Sequence, residues 1–378
     1  MIERILEKQI LKNFYKGKAI IILGARQVGK TTLVEMALTH ITDKVLRLNA
    51  DEADVRDLLT DTTSTRLRSI IGNNKIIFID EAQRISNIGI TIKLFTDQIK
   101  DVQVIVTGSS SFDLANKIKE PLTGRKYEYQ LFPLAYSEMV KHSSKLEERR
   151  LLEQRLVFGY YPEIIVKSGE ARDLLKMLSD DYLYKDLLSL EQIKKPALLE
   201  KILAALALQL GNEVSYTEIG QLVGADKGTV EKYVDLLEKS FVIFKLPAFS
   251  RNLRNEIKKG RKIYFYDNGI RNAIIRNFNS VNLRNDIGAL WENFLISERL
   301  KYLRYSGMDA RTHFWRTAQQ QEIDYIEVVS DKIYAYEFKW NINSKARIPK
   351  AFIKTYPDCY NEIITPSNFE KFVGVGKL

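Results

Sequence analysis

The sequence predicts an α/β chain in several parts, led by a parallel sheet wound on both faces and ending in a smaller α/β part. Three observations carry this. Apolar runs at residues 19–23, 76–79 and 102–106 each lead into glycine, acid or hydroxyl residues and then a helical stretch, the alternation that builds a parallel sheet. Near the other end, "EIDYIEVVSDKIYAYEFKWN" at 322–341 reads as two short alternating strands about a turn. Between them, residues 134–210 repeat apolar side chains at helical spacings of three and four. A chain of 378 residues exceeds one ordinary domain of roughly 100 to 200 residues, and the expected divisions are 1–135, 136–210, 211–268 and 269–378.

The first element is a phosphate cradle. In "KAIIILGARQVGKTTLVEMAL" the residues Gly24, Ala25, Arg26, Gln27, Val28, Gly29, Lys30 and Thr31, followed by Thr32, fit the P-loop pattern G-x-x-x-x-G-K-[ST]. An apolar strand delivers the chain into a glycine-permitted loop whose N–H groups wrap a phosphate, and the helix from Lys30 aims its positive end at the same charge. Lys30 is expected to reach the β- and γ-phosphates of ATP, and the Thr31 hydroxyl to ligate Mg²⁺. "KIIFIDEAQRI" is a buried strand ending in Asp80 and Glu81, the build of a Walker B motif. There Asp80 holds Mg²⁺ through water and Glu81 polarises the attacking water; an acidic turn after a core strand is the plainer reading. "VQVIVTGSSSF" ends its strand in the hydroxyls of Thr107, Ser109 and Ser110.

The order GARQVGKTT, IIFIDEAQ, VTGSSSFDL and LTGRKYEYQLFPLAYSEM resembles the prokaryotic, archaeal-ATPase-like AAA-type ATPases. The carboxy-terminal half of that family is a poorly characterised domain related to restriction endonucleases. The resemblance implies an AAA-type P-loop NTPase sheet with a helical lid, a winged helix and a restriction-endonuclease-like α/β domain. It also implies a γ-phosphate sensor, for which Ser109 is favoured over its neighbours. Arg125, after Gly124, becomes a candidate for neutralising transition-state charge, in cis or from a neighbouring subunit of a homo-oligomer; a plain surface arginine is the alternative.

Residues 136–210 are expected to form the lid. "VSYTEIGQLVGADKGTVEKYVDLLEKSFVIFKLPAF" then reads helix, tight turn at Gly224, helix, strand, as a winged helix-turn-helix does. Its second helix, 227–238, turns Val230, Val234 and Leu237 inward and Lys227, Thr229 and Lys232 outward, where they could meet DNA phosphates. Glu231, Asp235 and Glu238 share the exposed side and leave a structural or protein-contact role open. The densest basic stretch follows at 251–262, where Arg251, Arg254, Lys258, Lys259, Arg261 and Lys262 stand against Glu256 alone. Either nucleic-acid contact or a solvated hairpin tip explains it.

In 322–341, strand alternation puts Tyr334, Tyr336, Phe338 and Trp340 on one face and presents Glu337 with Lys339 on the other. Asp324 sits beside them if the strands pair. Two carboxylates there would bind Mg²⁺ through oxygen, and the lysine would orient or deprotonate a water, the arrangement of the PD-(D/E)xK nucleases. The upstream "IGALWENFLISERL" carries Glu292, which in such folds adds a metal or supporting contact, and the family resemblance covers Gly288, Glu292, Asp324, Glu337 and Lys339 together. A structural ion pair in a docking module is the competing reading.

Composition narrows the rest. A formal charge of +10 tilts towards a polyanionic partner such as DNA. One cysteine, Cys359, and three histidines, His40, His142 and His313, exclude an internal disulfide and any Cys/His zinc spacing, as suits a reducing cytoplasm. The charged opening MIERILEKQI and the short apolar run ILAALALQL argue against targeting to or through a membrane. The expected function is ATP binding and hydrolysis with a Mg²⁺-dependent, DNA-directed nuclease-like end, or alternatively an ATP-switched DNA- or protein-binding module that does not cut.

Overall fold

A computed structural model of the chain describes residues 1–109, 122–189, 195–250 and 260–376. Ser110 and residues 251–259 of the basic stretch lie outside the described residues. The chain forms two compact units, Met1–Pro133 with Lys239–Phe241, and Leu134–Glu238 with Val242–Leu378.

The first unit is built on five parallel strands, β1 (Ala19–Gly24), β2 (Val45–Asn49), β3 (Ile76–Asp80), β4 (Gln103–Gly108) and β5 (Lys126–Leu131), in the order β2-β3-β4-β1-β5. β1 is buried along its whole length, as a strand covered by helices on both faces must be. Ile21, Leu23, Ile77, Ile79, Val104 and Val106 form a core with Leu59, Leu67, Ile92 and Phe95, helix residues all near zero exposure. Burying each such side chain stabilises the unit by roughly 1.5–3 kcal/mol. The helix Lys30–Leu38 contacts β1 and β4 and buries Leu33, Val34 and Ala37.

Strands β1, β3 and β4 run one or two residues beyond the apolar stretches that mark them, because their ends remain paired, Leu23 with Gly108 and Gly24 with Leu131. The edge strands β2 and β5 carry no such stretch: "VLRLN" and "KYEYQL" are mixed and half exposed, since each has a neighbour on one side only. All pairings are parallel, so Gly24, Asp80 and Gly108 emerge at one edge of the sheet, where ligands bind in such folds.

The second unit takes in the helices of 136–210 and two sheets. Helices Tyr216–Val223 and Lys227–Lys239 meet at Gly224, whose φ of +74° suits glycine. Asp226 accepts from Thr229 N and Thr229 Oγ1 at 2.9 and 2.6 Å, capping the second helix. Thr229, expected to face outward, is thereby tied down, and Asp235 and Glu238 turn to Lys245. Val230, Val234 and Leu237 are buried as expected. The antiparallel sheet β6 (Glu213–Val214), β8 (Arg261–Phe265), β7 (Ile243–Pro247) follows.

A four-stranded sheet closes the unit, with β9 (Arg311–Arg316), β10 (Glu322–Val329), β11 (Lys332–Phe338) and β12 (Tyr360–Ile364) in the order β12-β11-β10-β9. Only β11 and β12 are parallel neighbours. One face packs Ile323, Ile326, Val328 and Ala335 against Phe352 and Tyr356. The other gathers Tyr325, Tyr336 and Phe338 around Phe372, with ring centroids 4.8–5.9 Å from it. The long helix Ile287–Ser306 touches β8 and β11. Between Ile323 and Ile326 the pairing with β9 shifts by one, a bulge that contains Asp324.

Candidate functional site

The 24–32 loop is shaped by backbone demands. A Cβ on Gly24 would lie 2.3 Å from the carbonyl oxygen of Leu131, so only glycine lets β1 and β5 close at the loop entrance. Gly29 sits at φ +91° and Gln27 at +59°, the left-handed turns that fold the chain back onto the helix start. Lys30 is buried, and its ammonium donates to the carbonyls of Gly24 at 3.1 Å and Ala25 at 2.9 Å, inside the loop. Arg26 is half-buried, Ala25 and Val28 are buried, and Gln27, Thr31 and Thr32 are exposed.

Thr31 Oγ1 donates to Asp80 Oδ2 at 2.8 Å, joining the P-loop helix to the end of β3. This fits Mg²⁺: a hydroxyl and a carboxylate, both hard oxygen donors, meet on the exposed side of the loop. Thr107 Oγ1 donates to Asp80 Oδ1 and holds that carboxylate from below. Glu81 takes the left-handed φ of +52°, strained for a non-glycine residue, which turns its side chain off the strand end. Ser109 is buried. Gln83 joins them, with Nε2 donating to Glu81 Oε2 at 2.5 Å and to Ser109 Oγ at 2.9 Å.

The Gln83 bridge is a contact that sequence reading missed, because a glutamine two residues past an acid carries no pattern of its own. Gln83→Ala is expected to lower kcat for ATP about ten- to a hundredfold while leaving KM nearly unchanged, since it frees the carboxylate and not the phosphates. Steady-state phosphate release checks this, and a rise in KM alone would contradict it.

Arg4 was missed too. It is buried, and it donates to Val28 O at 2.9 Å and Phe132 O at 2.7 Å, pinning the loop from beneath. Arg125 stands elsewhere. Its carbonyl accepts from Ala19 N, and Ala19 pairs with Lys126, so it lies at the opposite end of β1 and β5 from Gly24. Five strand residues at ~3.3 Å each separate the two ends by roughly 17 Å. Its guanidinium is bound to Asp97 Oδ1 at 2.6 Å. The expectation that Arg125 serves its own loop is therefore corrected; action on a neighbouring subunit and a plain surface arginine paired with Asp97 are the two readings left.

The carboxy-terminal acids form a second centre. Asp324 Oδ2 accepts from Phe338 N at 2.8 Å, and the pairing of Tyr325 with Tyr336, continued one step, sets Asp324 across from Glu337. Lys339 Nζ donates to Glu337 Oε1 at 2.7 Å. Lys262 also enters this centre: its ammonium binds Glu292 Oε1 at 3.0 Å and Glu322 Oε1, and Tyr264 Oη donates to the same Glu292 oxygen. Burial pushes the Glu292 carboxyl up to about 7, Lys262 opposing and Asp324 adding to the shift. Burial likewise raises Asp324, against Lys262 and Lys339, and raises Glu337 with the help of Asp324.

Glu292, Asp324 and Glu337 do not come together as a ligand set, and among the described residues no group of three or more His, Cys, Asp or Glu side chains is placed to hold a metal ion. An ammonium group stands among the acids instead, and the residues do not fit Mg²⁺ as arranged. Lys262 is consequently lost to the basic stretch expected to meet DNA: only 1% of its side chain is exposed. Arg261 lies 4.8 Å over the Tyr216 ring.

Residues 16–140 match the family model described as an AAA domain, 149–281 a domain of unknown function (DUF8612), and 287–370 another domain of unknown function (DUF4143). The chain is similar to an uncharacterized protein of Methanocaldococcus jannaschii, 25% identical over 94% of this chain and 82% of that one. It is likewise similar to an uncharacterized protein of Mycobacterium tuberculosis, 24% identical over 88% and 72%. Its fold is similar to a Walker-type ATPase of Pyrococcus abyssi, with a TM-score of 0.50 and 17% identity, covering 73% of this chain and 96% of that one. Among the described residues no helix is long and apolar enough to cross a membrane. The parallel sheet with the loop at its carboxyl edge thus accompanies an AAA-domain match over 16–140, and residues 287–370 match a domain of unknown function.

Proposed function

We propose that the chain binds ATP in the 24–32 loop, hydrolyses it, and uses the cycle to switch a carboxy-terminal docking module. The observation that carries the reading is the 2.8 Å contact between Thr31 and Asp80, which puts both expected magnesium donors at the mouth of the loop. Thr31 and Asp80 would hold Mg²⁺, which would supply positive charge to offset that of the phosphates. Lys30 holds those phosphates, Glu81 orients the attacking water, and Gln83 couples Glu81 to Ser109 beside the γ-phosphate. Catalysis of this kind rests on positioning and electrostatics. In this reading 1–135 is the ATPase core, 136–210 a lid, 211–268 a winged helix that offers Lys227 and Lys232 to DNA, and 269–378 the nuclease-like module.

A second reading, a Mg²⁺-dependent DNA nuclease, is favoured by Asp324, Glu337 and Lys339 lying together at the ends of β10 and β11. The buried Lys262 favours docking without cutting. Purified protein is incubated with plasmid, with and without ATP and Mg²⁺ or Mn²⁺, beside the double variant Asp324→Ala, Lys339→Ala. The docking reading expects phosphate release from ATP and intact plasmid in every lane. Metal-dependent cutting that the double variant lacks establishes the nuclease instead, and absence of phosphate release refutes the ATPase.

A further inference from the structure

We propose that Lys262 is the resident cation of the carboxy-terminal centre: its ammonium occupies the place among Glu292, Glu322 and Asp324 that a divalent ion would need, and the centre is built to work without metal. This inference rests on the geometry of the second unit alone and is independent of ATP turnover.

The lysine is held there by its surroundings. Lys262 lies on β8, paired with Glu213 on one side and Leu246 on the other, so its backbone has no freedom to withdraw. Its ammonium stands 5.5 Å from the Phe314 ring centroid and bonds Glu292 on the long helix and Glu322 on β10. Burial works against its charge, but Glu292, Asp324 and Glu322 outweigh that and keep the amine protonated. The network thus joins three elements through one side chain.

A metal ion finds little room in it. Mg²⁺ needs near-octahedral oxygen ligands at about 2.0–2.1 Å. An ion that close to Glu292 Oε1 would share the oxygen with an ammonium 3.0 Å away and with the Tyr264 hydroxyl. The second oxygen of Glu322 faces Arg316 Nε at 3.6 Å, and Glu337 Oε1 is engaged by Lys339, which leaves its buried Oε2 without a hydrogen-bond partner among the described residues. Four carboxylates therefore already face two lysines and an arginine. Glu322 and Lys262 lie outside the Asp, Glu-x-Lys pattern, so the pattern alone does not show them.

The test reads binding of MnCl₂ to the full chain without nucleotide, from the loss of the free-ion paramagnetic resonance signal. Wild type, Asp324→Asn and Glu337→Gln are expected to bind equally, any ion at the P-loop being common to all. Lys262→Met is expected to gain one ion per chain with affinity raised at least about tenfold, and Asp324→Asn in that background to abolish the gain. Mn²⁺ bound by wild type and lost in Asp324→Asn overturns the proposal, as does a folded Lys262→Met that gains nothing. If Lys262→Met does not fold, the comparison of wild type with Asp324→Asn and Glu337→Gln decides alone.

Discussion

Lys30→Ala is expected to abolish ATP turnover. Lys30 is buried at the first position of the P-loop helix, and its ammonium already lies within 3.1 Å of the loop carbonyls. Deleting one preorganised electrostatic partner of a transition state typically costs about 10²–10³ in kcat, or ~3–4 kcal/mol. Lys30 also helps seat the phosphates, so the loss should sit at or above the top of that range. Phosphate release measures it, with circular dichroism showing an unchanged fold. A variant that hydrolyses ATP at the wild-type rate would remove the P-loop from the mechanism.

The second large effect concerns stability. Glu327→Ala is expected to destabilise the second unit by about 3–5 kcal/mol, because it strands the guanidinium of Arg299 inside the protein. Only 9% of the Arg299 side chain and 1% of that of Glu327 are exposed, and Nη2 of Arg299 bonds Glu327 Oε2 at 2.7 Å beside a second contact from Nε. The pair is bidentate, with Nη1 on Phe372 O at 2.6 Å and the guanidinium 4.9 Å from the Tyr302 and Phe372 rings. Replacing both members, Arg299→Met with Glu327→Leu, should cost far less, since no charge is left buried. Trp291, Trp315 and Trp340 are the three tryptophans and all lie in the second unit, so urea unfolding followed by their fluorescence reports on it. Equal midpoints for Glu327→Ala and wild type would show the pair to be dispensable.

Much of the first unit could be read along the chain because its signals are local. A P-loop is one strand, one turn and one helix start, all within fourteen residues, and its glycines answer to backbone angles that any copy of the motif must adopt. The buried strands announced themselves through continuous apolar runs. β2 and β5 did not, since an edge strand needs no such run, and their membership of the sheet follows from partners far along the chain. Gln83 and Arg4 escaped for the same reason: each matters through a contact with a residue that its own neighbours do not predict. In the second unit the alternation of β11 was legible, but the bulge that contains Asp324 depends on the register with β9.

By itself, then, the amino-acid order determined the α/β class, the phosphate loop, the acid-tipped strand beside it and the run of strands bearing Asp324, Glu337 and Lys339. Short-range sterics and hydrophobic periodicity are sufficient for those features. Tertiary structure alone decided where the charges went. It removed Arg125 to the far end of β5, put Gln83 between Glu81 and Ser109, and buried Lys262 among carboxylates from other elements. The reason is electrostatic: a buried charge must find its counter-charge in space, and chain folding, not sequence proximity, chooses which one it meets.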